Sequence, residues 1–430
     1  MPPSTTAGPT HARPRRSAAR RVGASLALLT AGLAGWTTWQ VTDHDGDVAA
    51  PTTTVPAAVV AAKSAPPPPD PPAGFTVLAA GDLLPHGPVV RSAQGGSDFE
   101  TLLSGLDRWV AGADLALCHM EVPVAPEGTP PSGYPLFAAP GGLVDAVAAQ
   151  GWDGCSTASN HSVDRGYDGV VATLDAFDAT GLGHAGTARS EAEQAAPQRY
   201  ELERAGRTIT VAHLSATYGL NGLPVPDEAP WAVDLIDADR IVADARRARD
   251  AGADVVLLSL HAGVEYTEDL TDQQIEVTHA VAESGAVDLV IGHHAHVPQR
   301  IEKLDGGPGG NGMWVAYGLG NLLSNQSAAC CDARTSNGVL LTATFRQDHA
   351  GAPVLVTDVG WTGTTVDIAA GHRVHALPDL GDGEAGDLSA AELVARRERV
   401  AAAVRDAADH RVEPPTPTGP EPEVVPRTAP

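Results

Sequence analysis

Five short polar motifs each follow an apolar run, and their residue types are those of a metal site. Gly292-His293-His294-Ala295-His296 comes directly after the run from Val287 to Ile291. His294 and His296 are two residues apart, so in extended backbone both rings point the same way and two neutral imidazoles converge. The same placement recurs in Gly81-Asp82-Leu83-Leu84-Pro85-His86, Cys118-His119-Met120-Glu121, Asn160-His161-Ser162-Val163-Asp164-Arg165 and His261-Ala262-Gly263-Val264-Glu265-Tyr266. Asp82, His86, Glu121, Asn160, His261, His294 and His296 offer carboxylate, amide and imidazole donors. Such a mixed set suits one or two borderline divalent cations (Mn, Fe, Zn or Ni) rather than a structural zinc. A metal pair clamps a displacement and supplies hydroxide near neutral pH, as ester, phosphoester or amide hydrolysis requires.

His161 is placed as a general acid beside these donors, with Asp164 to orient it. His119, Arg165, Glu265, Tyr266 and His293 are read as substrate contacts. So is Asn321, which follows Gly318-Leu319-Gly320, where two glycines allow close backbone approach. Plainer readings exist for each motif alone: Gly81-Asp82 as a turn, Asn160 as a helix cap, the histidine run as an exposed loop. His213 and His279 are read as packing or surface residues and His184 as a loop residue.

Positioning these groups falls to alternating strands and helices. Strand-like runs are Phe75 to Ala80, Asp114 to Cys118, Gly154 to Ala158, Thr208 to Leu214, Asp254 to Leu260, Val287 to Ile291, Met313 to Tyr317 and Gly338 to Phe345. Helical spacing marks Leu143 to Gln150, Gly169 to Thr180, Ala238 to Ala251, Thr271 to Ser284 and Leu388 to His410. Wholly apolar strands imply sheets covered by helices, an α/β fold whose ligands gather beyond the carboxyl ends of the strands. Every polar motif falls there. Pro414 to Pro430 reads as a disordered tail.

The chain has a net charge of −25, which argues against nucleic acid as a partner. Lysine occurs only at Lys63 and Lys303, leaving little room for lysine-based chemistry. Residues 1–21 are a basic segment with Arg13, Arg15, Arg16, Arg20 and Arg21. Val22 to Val41 holds twenty residues without charge. As a helix this run spans about 30 Å, a bilayer core, and the basic flank keeps the body outside. A cleaved signal peptide is the competing reading, and Arg20-Arg21 also fits a twin-arginine signal. No cysteine follows the run, which excludes a lipoprotein anchor. Either way the body is expected beyond the membrane: a single-pass protein with an extracytoplasmic domain, or a secreted one. Residues 42–73 form a Pro-rich spacer, and the folded domain is expected over 74–412. Cys118 and Cys155 can pair if their strands are neighbours. Cys330 and Cys331 are adjacent, and the four cysteines allow three connectivities.

These motifs, in this order, resemble the CapA-type capsule (poly-γ-glutamate) biosynthesis family of the calcineurin-like metallophosphatase superfamily. The resemblance runs from about Phe75 to Phe345 and includes Gln274 and Tyr317-Gly318-Leu319-Gly320-Asn321. It implies a four-layer α/β/β/α sandwich with metals at the sheet ends, Asp82, Asn160, His261, His294 and His296 as metal-site residues, and His161 as the acid that protonates a leaving group. The chain departs in places. His119 stands where asparagine is expected, Ser159 where a second asparagine is usual, and Ala262 where tryptophan is usual. Asp82 and His86 are spaced wider than Asp-x-His, and Glu121 stands in for a missing Gly-Asp-x-x-Asp motif.

The resemblance implies an envelope-anchored, metal-dependent hydrolase or transferase acting on a γ-glutamyl or other anionic envelope polymer, together with the machinery that makes it. Two rivals are a non-catalytic factor that binds the polymer during export and a phosphoesterase acting on envelope phosphates.

Overall fold

The computed structural model describes residues 70–381 and 386–427. The basic segment 1–21, the apolar run 22–41 and the spacer up to residue 69 lie outside the described residues. Among the described residues, no helix is long and apolar enough to cross a membrane.

The strands, in chain order, are β1 (Ala73–Leu84), β2 (Leu115–Met120), β3 (Gly154–Ser156), β4 (Gly183–Ala185), β5 (Gln198–Arg204), β6 (Arg207–Thr217), β7 (Val255–His261) and β8 (Leu289–His293). There follow β9 (Ile301–Leu304), β10 (Met313–Ala316), β11 (Asn321–Ser324), β12 (Asn337–Gln347), β13 (Leu355–Asp367), β14 (Arg373–Ala376), β15 (Asp409–His410) and β16 (Glu423–Val425). One sheet runs β14-β13-β12-β1-β2-β3-β4, with β11 on β1 and β15 on β13; the other runs β16-β5-β6-β7-β8-β10-β9.

Side-chain alternation decides the layering. Along β1, Phe75, Val77 and Ala79 enter a core shared with Val211, Leu257 and Ile291 of the second sheet. Leu78 and Ala80 face the other way, against Phe99, Leu102, Val144 and Val147 of the helices Phe99–Leu103 and Gly142–Gln150. The second sheet repeats the pattern. Val256, Leu258 and Val290 face Ile241, Ala245, Val277 and Val281 of the helices Ala238–Asp250 and Asp272–Ser284. The result is a helix, sheet, sheet, helix sandwich. β2, β7 and β8 are buried at every position, as strands covered on both faces must be.

β1 to β4 pair in parallel in one sheet, and β6, β7, β8 and β10 do so in the other. Backbones at their carboxyl ends come so close that side chains are excluded. A Cβ on Gly292 would lie 1.9 Å from the Tyr317 carbonyl oxygen, and one on Gly81 would lie 2.0 Å from that of Gly320. In register, Cys118 stands opposite Cys155, and the two form a disulfide; Cys330 and Cys331 form another.

Three expectations are corrected. The late helix is Ala390–Val404 rather than the longer 388–410, and His410 lies in β15 beside β13. His184 lies in β4, not a loop. The Pro-rich tail is docked rather than disordered. Thr418 donates its backbone N–H to Asp114 Oδ1 at 2.7 Å, β16 pairs antiparallel with β5, and the Arg427 guanidinium is buried. That guanidinium donates to the carbonyls of Ala196 at 3.1 Å, His184 at 3.1 Å, Thr187 at 2.9 Å and Glu193. Composition flags the tail because it has little apolar surface to bury; hydrogen bonds to an open strand edge hold it instead.

Two stability outcomes follow. Gly292→Ala should cost at least about 1–3 kcal/mol in urea unfolding, because the added methyl meets backbone. Arg427→Ala should cost about 2–4 kcal/mol, since it strands buried carbonyls. An unchanged midpoint in either variant would contradict the packing described.

Candidate metal centre

The carboxyl ends of β1, β2, β7 and β8, with the loop after β3, bring the donors together. Asp82, His119 and His261 form one buried triad whose ligating atoms lie within 4.8 Å of one another; Glu121, His294 and His296 form a second. Asp82 joins them, since its Oδ2 is 3.0 Å from His296 Nδ1. His296 Nε2 in turn faces Glu121 Oε1 at 3.5 Å. In the first triad, His119 Nε2 and His261 Nδ1 are 2.9 Å apart, and His261 Nε2 is 2.8 Å from Asn160 Oδ1.

His294 and His296 do converge, with ring centroids 6.0 Å apart. They do not do so by strand alternation. β8 stops at His293, and the two residues then adopt φ of 86° and 57°. A positive φ is costly for a residue with a Cβ, and such strain collects where geometry serves a ligand.

Electrostatics fit a cation. Burial pushes His119 and His261 well below the usual imidazole range and His294 to about 3, so all three stay neutral and free to ligate. Burial alone would raise Asp82, yet the imidazoles of His293 and His296 facing it hold it well below the usual carboxylate range. Burial raises Glu121 well above that range. Burial opposes the charged form of His296, but Glu121 and Asp82 lift it to about 9. The Glu121–His296 pair therefore retains a proton near neutral pH until a cation replaces it. Asp82 Oδ1, both Glu121 oxygens, both His293 ring nitrogens and His294 Nδ1 are buried with no hydrogen-bond partner in the protein. Unpartnered buried groups are costly, and a divalent cation suits this donor chemistry.

Beside the triads stands a dyad. His161 Nδ1 is 2.7 Å from Asp164 Oδ2, which also accepts the Phe137 N–H at 2.7 Å. The far nitrogen, Nε2, lies 3.5 Å from Asn221 Nδ2. An imidazole held this way through Nδ1 leaves Nε2 as the nitrogen that can accept a proton and pass it on.

Other predicted residues lie elsewhere. His86 is outside both triads; its Nδ1–H donates to the Leu84 carbonyl at 3.0 Å. His119, His293 and Asn321, read as substrate contacts, are 0%, 1% and 1% exposed. His119 is a donor of the first triad. His293 stacks on His119 at 4.0 Å and faces Asp82 Oδ1 at 3.3 Å. Asn321 donates to Gln326 Oε1 and the Thr335 carbonyl, both at 2.9 Å, and so braces the loop. Arg165 is engaged by Ser132 and the Leu136 carbonyl. Glu265 is exposed, and Tyr266 stands 6.1 Å from His296, ring to ring.

Sequence reasoning passed over Tyr218, whose ring is 4.5 Å from His294, and Asn221, which holds Asn160 at 3.1 Å. Both follow the carboxyl end of β6. Applying the strand-end rule to that strand as well would have found them.

Elemental analysis of the purified chain should find about two divalent cations, and His119→Asn and Glu121→Gln should each lose about one. Retention of both metals in either variant would contradict the assignment of the triads. Zinc affinity at the Glu121 triad should fall about tenfold per pH unit below 9, because the cation must displace the His296 proton. Competition titrations between pH 6 and 9 would read this; a flat profile would count against it.

Residues 76–326 match the family described as "Bacterial capsule synthesis protein PGA_cap". The chain is 28% identical over 196 residues to the PGA biosynthesis protein CapA of Bacillus subtilis, covering 46% of this chain and 48% of that protein. It is 27% identical over 186 residues to the capsule biosynthesis protein CapA of Bacillus anthracis, covering 43% of each. The chain thus spans about half the length of the curated relatives it matches. Among solved structures, it is similar to a calcineurin-like phosphoesterase from Bacillus subtilis, with a TM-score of 0.39, 12% identity, and coverage of 76% of this chain and 97% of that one. A Haemophilus influenzae NAD nucleotidase gives a TM-score of 0.43 at 12% identity, covering 80% of this chain and 58% of that one. With more than half its length matched by the family, this chain belongs to the PGA_cap bacterial capsule synthesis proteins.

Proposed function

We propose that this chain is a metal-dependent hydrolase or transferase acting on a γ-glutamyl envelope polymer. The observation that carries the reading is the His161–Asp164 dyad standing beside two donor triads. Bound cations would polarise the scissile carbonyl and supply hydroxide near neutral pH. The protein's own groups do the rest. Asp164 holds His161 by Nδ1, and Asn221 and Asn160 tie the Nε2 side to the triads. In hydrolysis, water oxygen bonds to the γ-carbonyl carbon and gives its proton to His161 Nε2; the C–N bond then breaks and the leaving nitrogen takes that proton from Nε2. In transfer, an amine of a second chain replaces water. The family's link to capsule polymer supports the substrate class, and the basic and apolar N-terminal segments support placement at the outer face of the membrane.

A non-catalytic, polymer-binding role gives the dyad no task. The test is turnover of γ-glutamyl oligomers by the metal-loaded chain, followed by mass spectrometry. His161→Asn should lower turnover about 100-fold or more with metal content unchanged. Oligomers bound but never cleaved or extended would favour the export-factor reading. Turnover of an aryl phosphate alone would favour the phosphoesterase.

A further inference from the structure

The mouth of the metal centre has a chemical character of its own. Tyr218 is 38% exposed; its backbone N–H donates to the His261 carbonyl at 2.9 Å, and its ring lies 4.5 Å from His294. From the next loop comes Tyr266, anchored by its backbone N–H to the Ala295 carbonyl at 2.8 Å and by Gln326 Nε2 to its hydroxyl at 3.2 Å. Tyr266 holds a φ of 67°, a strained conformation that aims this ring. Glu265, the residue before it, is exposed, and its charge acts on both Tyr218 and Tyr266. On the His161 side, Tyr134 is 81% exposed and packs on Phe137, which packs edge-on against His161.

The cations beside these loops are already engaged. Arg165 is bonded to Ser132 and the Leu136 carbonyl. Arg334 pairs with Glu268 and Asp332 at 2.8 Å and donates to the Tyr266 carbonyl. The collar is therefore aromatic and anionic. Aromatic faces with an adjacent carboxylate attract an alkylammonium, and they offer a free carboxylate or phosphate little beyond the metals themselves.

We propose that Tyr218, Glu265 and Tyr266 bind a protonated primary amine of the substrate, next to the bond held at the metal donors. This rests on the polymer reading above and sharpens it. In a γ-glutamyl chain, a free ammonium sits beside a γ-amide only at the amino terminus. The site then works on polymer ends, removing or transferring the terminal unit, and the interior of the polymer is not its substrate.

The test is ligand-observed NMR titration of the zinc-loaded full chain with three probes: tri-γ-glutamate, its N-acetylated form, and propylammonium. Wild type should bind the free-amine trimer about tenfold or more tighter than the acetylated one. Glu265→Gln should abolish that preference, while His294→Ala should weaken both trimers and keep it. Equal or tighter binding of the acetylated trimer would overturn the amine site and leave the polymer reading standing, as would a preference that survives Glu265→Gln. If neither trimer binds but propylammonium does, in a Glu265-dependent way, the polymer reading fails and the amine site stands. Binding of none of the three would overturn both.

Discussion

Asp82 and Glu121 are carboxylates with no exposure, set where the parallel strands of two mixed sheets end. Burying one charge is expensive, and burying two side by side is more so, unless positive charge answers them. The His296 imidazolium is that answer in part, and a divalent cation would complete it. Much of the surrounding architecture meets this demand. Strands from both sheets end at the same level, their side chains alternate so that the donors face inward, and glycines at 81 and 292 let the backbones close up.

Much of this was legible in the sequence, for a reason particular to parallel sheets. A strand covered on both faces must be apolar throughout, so its boundary with polar sequence marks where it emerges. Val255–His261 and Leu289–His293 carry that boundary plainly, and His261 and the Gly292–His296 run stand at it. The first strand, though less uniform, places Asp82 in the same way. What stayed hidden depends on partners distant in sequence. Nothing local says that His119 turns toward His261 while Asn321 braces a loop; both are polar residues near a strand end. Nor does pattern distinguish His86, the residue just before the short helix Gly87–Ser92, from a ligand. The strand Gln198–Arg204, lying between β16 and β6, alternates burial with polar residues outward, and only its register with β6 reveals it.

The route taken by His294 and His296 is instructive. A two-residue spacing suggested extended backbone, and the side chains do meet, but through two left-handed conformations beyond the strand. Each such conformation costs about 1–3 kcal/mol, to be recovered from the packing around it. Tyr266 makes the same concession nearby. The sandwich is regular through its middle and strained at one rim, and the strain coincides with the candidate metal centre. This division lets a stable scaffold hold side chains where an isolated loop would not.

The docked tail has a consequence for how the protein is made. β16 and Arg427 close the outer edge of the second sheet, and Thr418 and Arg204 meet at Asp114 of the first. Synthesis runs from the amino to the carboxyl end, so β16 and Arg427 are made well after β5. Until they arrive, β5 offers unpaired N–H and C=O groups to any extended chain nearby. The nascent protein passes through an interval in which its own later segment competes with strangers for one edge. A molecule clipped ahead of β16 would remain in that condition, with its candidate metal donors intact and its solubility at risk.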